Sequence, residues 1–332
     1  MIRQSILLLC AAALAAACSS REVVVVYSPH GADVLRDYER LFEEANPGID
    51  LQWIAAGAKE VHGRIANERN RPACDVWWGA PSTLFMQAAE AGLLAAYRPT
   101  WADAVPADAH DPADRWYATY RSPLAILFNT NGLSRDAAPR AWDDLLDPEW
   151  RGRIVLRKPL ASGTMRTFLC AMIARAADED AGIAWLKRFQ EAVAHFAESP
   201  NLLYDHVKRN PRAISVWLQP DVVMQRERNG FPFDCVVPRE TPVLLDGIAI
   251  VNNAPHPEGA RTFYEFVTTR EALAHQAHAY AKLPARTDID PAQLPAWMTT
   301  DVIEPMPIDW SVFAAKEAAW CDRWEREVFR AP

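Results

Sequence analysis

The first part of the chain alternates short, solid apolar runs with amphipathic stretches. The run EVVVVY over Glu22–Tyr27 predicts a strand that is buried on both faces within a parallel sheet. Apolar residues then recur at helical spacing over 32–45, and Asn46-Pro47-Gly48 closes this predicted helix. The same order follows twice more, with predicted strands over 49–54 and 74–78 and predicted helices over 61–70 and 83–91. Strand, loop and helix in repeated succession predict an open α/β sheet.

In such sheets ligands lie at the carboxyl ends of the strands, which here means the loops at 28–31, 57–59 and 79–82. The candidate ligand-binding residues of these loops are Ser28, His30, Gly57, Ala58, Trp78, Gly79 and Ala80. The glycine-alanine pairs offer backbone N–H groups, and Trp78 is predicted to form a wall of the site while Trp77 packs in the core. His30 either donates a hydrogen bond to an anion or is neutral and structural. Lys59 either supplies charge or is a solvated surface residue.

The second half of the chain contains another α/β block. A strand is predicted over Ala125–Asn129, and a helix is predicted to begin at Ser199-Pro200, with serine as N-cap and proline in the first turn. Further strands are predicted over 154–156, 214–218, 233–237 and 247–251, and further helices over 165–177, 182–191 and 258–267.

Ser162-Gly163-Thr164 stands at a predicted loop-to-helix junction. The start of a helix leaves N–H groups that carry partial positive charge, glycine lets a ligand approach the backbone, and two hydroxyls add donors. This arrangement can bind a phosphate or carboxylate without a formal positive charge. The alternative is that Ser162 only caps the helix, because serine is a preferred N-cap residue.

The N-terminal segment predicts export. Arg3 precedes an apolar stretch too short to span a bilayer, and Ala15-Ala16-Ala17 precede Cys18. We expect residues 1–17 to be a lipoprotein signal peptide, with Cys18 lipidated as the new N-terminus. The alternative is an ordinary secretory cleavage that discards Cys18. Either outcome places the mature protein outside the cytoplasm, where no ATP or NADH is supplied, and this counts against kinases, synthetases and dehydrogenases.

Composition narrows the possible partners. A net charge of −8 argues against nucleic acid and anionic lipid surfaces, although local donors can still bind a small anion. No later apolar run approaches the roughly 20 residues of a spanning helix, so membrane attachment would be through lipid only. The other cysteines of the mature chain have no CxxC spacing, and we expect Cys74, Cys170, Cys235 and Cys321 to be buried free thiols. We predict no metal site and no cofactor.

Several strings of the chain, in this order, resemble a known family. The carriers are Val24-Val25-Val26-Tyr27-Ser28, Asp75-Val76-Trp77-Trp78, Ala125-Ile126-Leu127-Phe128-Asn129-Thr130, Trp142-Asp143-Asp144-Leu145 with Pro148-Glu149-Trp150-Arg151-Gly152-Arg153-Ile154, Ser162-Gly163-Thr164, and Gly247-Ile248-Ala249-Ile250-Val251 with Pro257-Glu258-Gly259-Ala260. The chain is similar to the extracellular solute-binding proteins of bacterial ABC importers. It is most similar to the branch that contains ferric-ion-binding proteins and binders of phosphorylated sugars, 2-aminoethylphosphonate and thiamine.

The resemblance implies an α/β, two-lobe periplasmic-binding-protein type II fold, with mixed sheets and two hinge strands that let the lobes close on ligand. Lobe one would comprise residues 22–125 and a return over 245–332 with C-terminal helices, and lobe two residues 130–240. The crossings are expected near 122–129 and 243–251. The resemblance also implies a monomeric protein that delivers a small anionic solute to an inner-membrane ABC permease and its ATPase. Relatives bind an anion at the loop matching Ser162–Thr164.

One departure from the ferric-binding pattern bears on the ligand. Iron-binding relatives carry two adjacent tyrosines after the strand that matches 214–218, whereas this chain has Gln219-Pro220-Asp221. In the iron-binding relatives a residue of the first loop also binds the metal, and Gly31 stands at that position here, next to His30. The position of their glutamate ligand, after the third strand, falls near Ala80. Iron binding is therefore not expected, and Gln219 and Asp221 resemble partners for hydroxyl or amine groups of an organic ligand, or cap a turn.

The favoured function is capture of an anionic organic solute, with a phosphorylated sugar or a phosphonate preferred. The alternatives are a ferric-ion or thiamine binder, a ligand-sensing lipoprotein and an extracytoplasmic enzyme. No GxSxG, HExxH or SxxK motif occurs in its required context, so we expect no catalytic activity.

Overall fold

The helices and strands alternate through most of the chain. The computed structural model describes residues 21–300 and 302–329, so the predicted signal peptide and Cys18 lie outside the described residues. The strands are β1 (Glu22–Ser28), β2 (Ile49–Ala55), β3 (Val76–Pro81), β4 (Tyr117–Asn129), β5 (Ile154–Arg157), β6 (Val193–Ala197), β7 (Ile214–Leu218), β8 (Phe233–Val236), β9 (Val243–Ile250) and β10 (Leu283–Pro284). The helices are α1 (Ala32–Ala45), α2 (Ala58–Asn67), α3 (Ser82–Glu90), α4 (Gly163–Ala174), α5 (Glu179–Gln190), α6 (Pro200–Arg209), α7 (Gln219–Asn229), α8 (Pro257–Val267), α9 (Arg270–Tyr280), α10 (Trp297–Thr300) and α11 (Trp310–Glu327).

The strands form one mixed, strongly bent sheet in the order β2-β1-β3-β9-β4-β7-β5-β6, with β8 and β10 also paired to β4. β1 is parallel to β2 and β3, and β5 is parallel to β6 and β7. The pairs that β9 makes with β3 and β4 are antiparallel. We call β1, β2, β3, β9, β10 and residues 117–123 of β4 the first half-sheet, and β5–β8 with residues 124–129 the second.

β4 belongs to both half-sheets. Its residues 117–123 pair with β9, whereas Leu124–Phe128 pair with β7. A second segment passes between the half-sheets beside it, because Leu124 N donates to Pro242 O at 2.9 Å and Thr241 Oγ1 donates to Leu124 O at 2.6 Å. β9 pairs with the first half-sheet along its length, and these contacts at 241–242 lie directly before it, so the crossing expected near 243–251 stays a prediction.

Two hydrophobic clusters lie on the two half-sheets. Trp77, Trp78 and Phe263 belong to the first, and Trp142 and Phe168 belong to the second. The apolar residues of α11 join the second cluster, although they follow the return of the chain to the first half-sheet. The lobe bounds inferred from the sequence stay a prediction.

The four described cysteines, Cys74, Cys170, Cys235 and Cys321, are buried, as predicted, and no disulfide joins them in the described structure. No helix within residues 21–300 and 302–329 has the length and apolar character needed to cross a bilayer.

Candidate functional site

A cavity of about 900 Å³ opens between the helix starts of the two half-sheets. The start of α2 contributes Gly57 and Ala58 to its wall, and the start of α4 contributes Gly163. Further lining residues come from α2, α3, the α4 region and α11: Lys59, Glu60, Pro81, Thr83, Leu84, Gln87, Leu160, Ala161, Arg166, Thr167, Phe313, Ala314, Glu317, Ala318, Cys321 and Asp322. We call this space the cleft cavity, and its volume is that of a small-molecule site.

Helix N-termini are concentrated at the cleft cavity. Gly57 precedes α2 and Pro81 precedes α3, and within the described chain neither helix has a side-chain cap. The first-turn N–H groups of these helices have no intrahelical acceptor, and they carry the positive end of the helix dipole. This geometry suits an anion, because a bound oxygen atom satisfies the donors and is attracted by the dipoles.

The start of α4 differs from these two helices. Ser162 Oγ accepts a hydrogen bond from Met165 N at 3.3 Å, so the serine caps the helix. Ser162 is buried, Gly163 is exposed to the cleft cavity, and Thr164 is half-buried in the first turn. The capping role of Ser162 is present in the structure, and an anion role stays a prediction for Gly163 and Thr164.

A group of polar side chains lies deeper, where the half-sheets meet. We call His30, Tyr120, Asp221, Asp246 and Lys282 the inner polar cluster. Lys282 Nζ donates to Tyr120 Oη at 3.3 Å and lies 4.3 Å from the centroid of the Tyr120 ring. The positive charge of Lys282 acts on His30, Asp221 and Asp246. The cluster adjoins the cleft cavity through β3, where Pro81 lines the cavity and Ala80 N donates to Asp246 Oδ1 at 3.3 Å.

The two aspartates of the cluster come from opposite half-sheets. Trp217 Nε1 donates to Asp221 Oδ2 at 3.1 Å, and interaction with Tyr120 lowers the pKa of Asp246. Burial raises the pKa of Asp221 and of Asp246, and the nearby positive charge of Lys282 opposes this rise. The charge of Asp221 further raises the pKa of Asp246. Two carboxylates beside a single lysine favour a ligand that brings hydrogen-bond donors or positive charge.

His30 occupies a specific position beside β3. Its Nε2 atom is inaccessible to solvent and has no hydrogen-bond partner among the described residues, although the residue as a whole is partly exposed. Burial, followed by the charge of Lys282, lowers the pKa of His30 to about 3. The ring is therefore neutral near pH 7. Its Nε2 atom is enclosed against Gly79, so a hydrogen bond from His30 to a ligand stays a prediction.

Backbone conformation fixes the position of His30. Gly79 has φ +89°, and a Cβ there would lie 2.8 Å from two atoms of the His30 ring. Ala80 has φ +109°, an unfavourable value for a residue with a side chain, and strain of this kind concentrates at ligand sites. Ser28 is fully buried, and its Oγ accepts from His30 N at 3.1 Å, so this serine shapes the turn and is not exposed to the cleft cavity.

The prediction that Trp78 forms a wall of the site is wrong. The side chain is fully buried in the first cluster, with ring-to-ring distances of 5.2 Å to Tyr38 and 5.9 Å to Phe263. The centroids of the Trp78 and His30 rings are 4.6 Å apart and the rings are nearly perpendicular, so Trp78 packs against the histidine. Trp77 is buried as predicted and stacks on Phe85.

Gln219 and Asp221 lie in the first turn of α7, which starts directly after β7. Gln219 is almost completely buried, and Asp221 belongs to the inner polar cluster. The alternative that these residues cap a turn is not what the structure has, because the N-cap is Leu218 and no side-chain cap occurs within the described chain.

Sequence reasoning missed Tyr120, Asp246 and Lys282. Asp246 offered a signal, because it is the single charged residue within the apolar strand Val243–Ile250. Tyr120 and Lys282 had no comparable signal, since both are ordinary in their local context. Within the described residues no group of three or more His, Cys, Asp and Glu side chains is arranged to hold a metal ion.

The chain matches relatives and solved structures along most of its length. The putative 2-aminoethylphosphonate-binding periplasmic protein of Salmonella typhimurium is 26% identical over 322 residues, which cover 92% of this chain and 93% of the relative. The fold is that of the periplasmic binding protein AfuA from Actinobacillus pleuropneumoniae with fructose-6-phosphate bound (TM-score 0.75, 22% identity, 94% and 100% of the two chains). It is equally that of the ferric binding protein from Campylobacter jejuni (TM-score 0.80, 20% identity, 92% and 100%).

These neighbours have the type II periplasmic-binding fold, so the fold class predicted from the sequence is confirmed. The family model described as bacterial extracellular solute-binding protein matches residues 80–304, which is more than half of the chain. The chain therefore belongs to the bacterial extracellular solute-binding proteins, the periplasmic components that serve ABC importers.

Proposed function

We propose that this protein captures a small anionic organic solute, a phosphonate or a phosphorylated sugar, and delivers it to its membrane permease. The observation that carries the proposal is the convergence of helix N-termini without side-chain caps on one cleft cavity. Backbone N–H groups at such ends bind phosphate oxygens without a lysine or arginine. A local site of this kind is compatible with the net charge of −8.

The inner polar cluster further restricts which chemical groups the ligand carries. Asp221 and Asp246 are hydrogen-bond acceptors when ionised, and Lys282 offsets only one of their charges. A ligand whose far end carries an ammonium group or hydroxyl groups would satisfy these carboxylates. The proposed solute therefore has an anionic end at the helix starts and a donor end at the aspartates. 2-Aminoethylphosphonate, for which the Salmonella relative is named, and fructose-6-phosphate, which is bound in the Actinobacillus structure, both have this form.

A ligand of this form would hold the half-sheets together. The helix starts of α2 and α3 belong to the first, whereas α4 and Asp221 belong to the second. A ligand that contacts both favours the closed state by its difference in affinity for the two states. The solute would therefore raise the melting temperature of the protein by an amount that grows with the logarithm of its concentration divided by its Kd.

The test measures thermal stability with matched compounds at low salt. We expect 2-aminoethylphosphonate and fructose 6-phosphate to raise the melting temperature, whereas ethylamine and fructose should not. Ethylphosphonate has the anionic end without the ammonium group, so we expect it to raise the melting temperature less than 2-aminoethylphosphonate does. The difference between the two shifts measures the contribution of the aspartates to binding. Equal stabilisation by the uncharged or cationic compounds would refute the anion site.

Ferric ion is the alternative ligand, because ferric-binding proteins share this fold. The same experiment therefore includes ferric ion with phosphate. We expect no intense visible band, since tyrosinate-to-iron charge transfer requires phenolate ligands and Gln219-Pro220 stands where iron binders have tyrosines. A strong visible band together with stoichiometric iron would show that the protein binds ferric ion and would contradict the proposed organic anion.

A further inference from the structure

Two cysteines from distant parts of the chain face each other across a helix interface. Cys170 lies in α4 and Cys321 in α11, and their Sγ atoms are 3.9 Å apart. Cys170 is fully buried, whereas Cys321 is 7% exposed and lines the cleft cavity. The other two described thiols are not part of this pair, since Cys74 lies in the first hydrophobic cluster and Cys235 elsewhere in the second.

The interface around the pair is held in register. One helical turn before the cysteines, Arg166 Nε contacts Glu317 Oε1 at 2.9 Å. Arg166 and Cys170 are four residues apart on α4, and Glu317 and Cys321 are four apart on α11, so each pair lies on one face of its helix. The Arg166–Glu317 ion pair opposes sliding of α11 along α4. Packing of Trp320 and Trp324 in the second cluster opposes rotation of α11 about its axis.

We propose that Cys170 and Cys321 form a disulfide in the oxidising cell envelope and thereby attach the C-terminal helix to α4 at the edge of the cleft cavity. The sulfur atoms must approach from 3.9 Å to bonding distance, which is within reach of side-chain rotation in a pair already in contact. Extracytoplasmic proteins meet the redox conditions under which such bonds persist.

The reaction is thiol–disulfide exchange with an oxidant that itself carries a disulfide, such as an envelope oxidoreductase or glutathione disulfide. Cys321 attacks first, because it borders the cavity and hydrogen bonding from Cys170 lowers the pKa of its thiol. This step forms a mixed disulfide and releases one thiolate of the oxidant. Cys170 then attacks the Cys321 sulfur and releases the second thiolate. Both protons and both electrons of the two thiols pass to the oxidant, which is reduced to thiols.

The bond would close a loop between residues separated by 151 positions. Loops of this size lose much entropy in the unfolded chain when they are cross-linked, so the oxidised protein should be more stable than the reduced protein. For a chain of this length the expected difference in melting temperature is roughly 5–10 °C. The proposal does not depend on the identity of the solute.

The test uses the full mature protein, isolated without reductant from the cell envelope and alkylated in denaturant. We expect a Cys170–Cys321 linked peptide in the mass spectrum, and its loss after reduction. Reductant should lower the melting temperature of the wild type and of Cys235→Ala, but should leave that of Cys321→Ala unchanged. Recovery of both cysteines as alkylated thiols, even after incubation with glutathione disulfide, would overturn the proposal, as would a melting temperature indifferent to reductant.

Discussion

At the scale of single residues, Asp221 and Asp246 are suited to ligand binding but reduce the stability of the protein without ligand. Both residues are half-buried, and burial raises the pKa of each carboxyl group above the ordinary value of 3.8. Ionising them in the empty protein is therefore costly. A ligand that donates hydrogen bonds or brings positive charge recovers this cost on binding, which is how a binding site commonly reduces the stability of its scaffold.

The first prediction follows from Asp246. Asp246→Asn keeps an acceptor for Ala80 N but removes the ionisation, so we expect a higher melting temperature at pH 7 and weaker ligand binding. Loss of a hydrogen bond to a charged partner costs roughly 1.5–3 kcal/mol, or about tenfold to a hundredfold in affinity. Thermal melts and calorimetric titration with 2-aminoethylphosphonate measure both effects.

The pH dependence of Asp246→Asn supplies the control. With its pKa raised on folding, Asp246 holds its proton in the folded state after the unfolded chain has lost it. The wild type should thus lose stability as pH rises from about 3.8 through the raised pKa, and the variant should lose less. Asp108→Asn, an exposed carboxylate outside the cluster, should leave the wild-type profile unchanged. A variant that is less stable at pH 7, with the wild-type pH slope, would contradict this account.

At the scale of elements, the helix starts around the cleft cavity divide into capped and uncapped ones. α4 has its serine cap, whereas α2 and α3 leave their first-turn donors to another partner. The capped helix should therefore respond differently to changes in its two hydroxyl residues. The hydroxyl of Ser162 stabilises the helix, and a ligand role for the hydroxyl of Thr164, which does not line the cleft cavity, stays a prediction.

The second prediction separates these roles. Ser162→Ala removes the acceptor for Met165 N, so it should reduce the free energy of unfolding by about 1 kcal/mol. Thr164→Val keeps the shape of the side chain and should weaken binding of a phosphorylated ligand by about tenfold or more, since a hydrogen bond to a charged group is lost. Chemical denaturation measures the first effect and ligand titration the second. If Thr164→Val binds like the wild type, α4 is only a capped helix.

The elements also show how far local pattern predicts this fold. α1 and β7 begin and end where the sequence predicted, because clear apolar periodicity is bounded by turn residues or by a change of pattern. No helix was predicted for α7, although Pro220 lies in its first turn. Proline is favoured in the first turn of a helix, where its missing N–H group would have no partner. The first half of β4 was not predicted, and for α9 and α11 the resemblance implied C-terminal helices without giving their bounds.

The candidate site divides in the same way. The loop positions Gly57, Ala58 and Gly163 were predictable, because ligands of α/β sheets lie at the carboxyl ends of strands, and all three line the cleft cavity. Tyr120, Asp246 and Lys282 come together only through the pairing of β9 and β10 with β4. Contacts between such distant segments leave no periodic trace in the sequence.

At the scale of the whole molecule, the membrane attachment that we propose involves a residue outside the described chain. We propose that Cys18 carries the lipid, and we expect the lipidated protein to be a monomer. The family places the protein in the periplasm, and the described helices offer no span of the bilayer.

The third prediction tests this anchor. The wild type should enter the detergent phase, whereas Cys18→Ala should remain unprocessed by the lipoprotein pathway, because no thiol is available to receive the diacylglycerol. Phase partition and the mass of the mature N-terminus measure the result. Cys74→Ala, which changes a buried thiol far from the signal, should leave partition unaffected. A mature N-terminus beyond Cys18 on an aqueous-phase protein would rule out the anchor.

The position of β9 between β3 and β4 has a consequence for folding during synthesis. β4 ends at Asn129, but its neighbour on the first half-sheet begins only at Val243. At about 5–20 residues per second, a ribosome needs roughly 6–20 seconds to make the chain between them. During that time β3 and β4 have open edges and the first half-sheet cannot close, so the nascent chain stays extensible. The topology thus delays completion of the first half-sheet, and we expect a chain that is exported unfolded to stay threadable until the residues of β9 have been made.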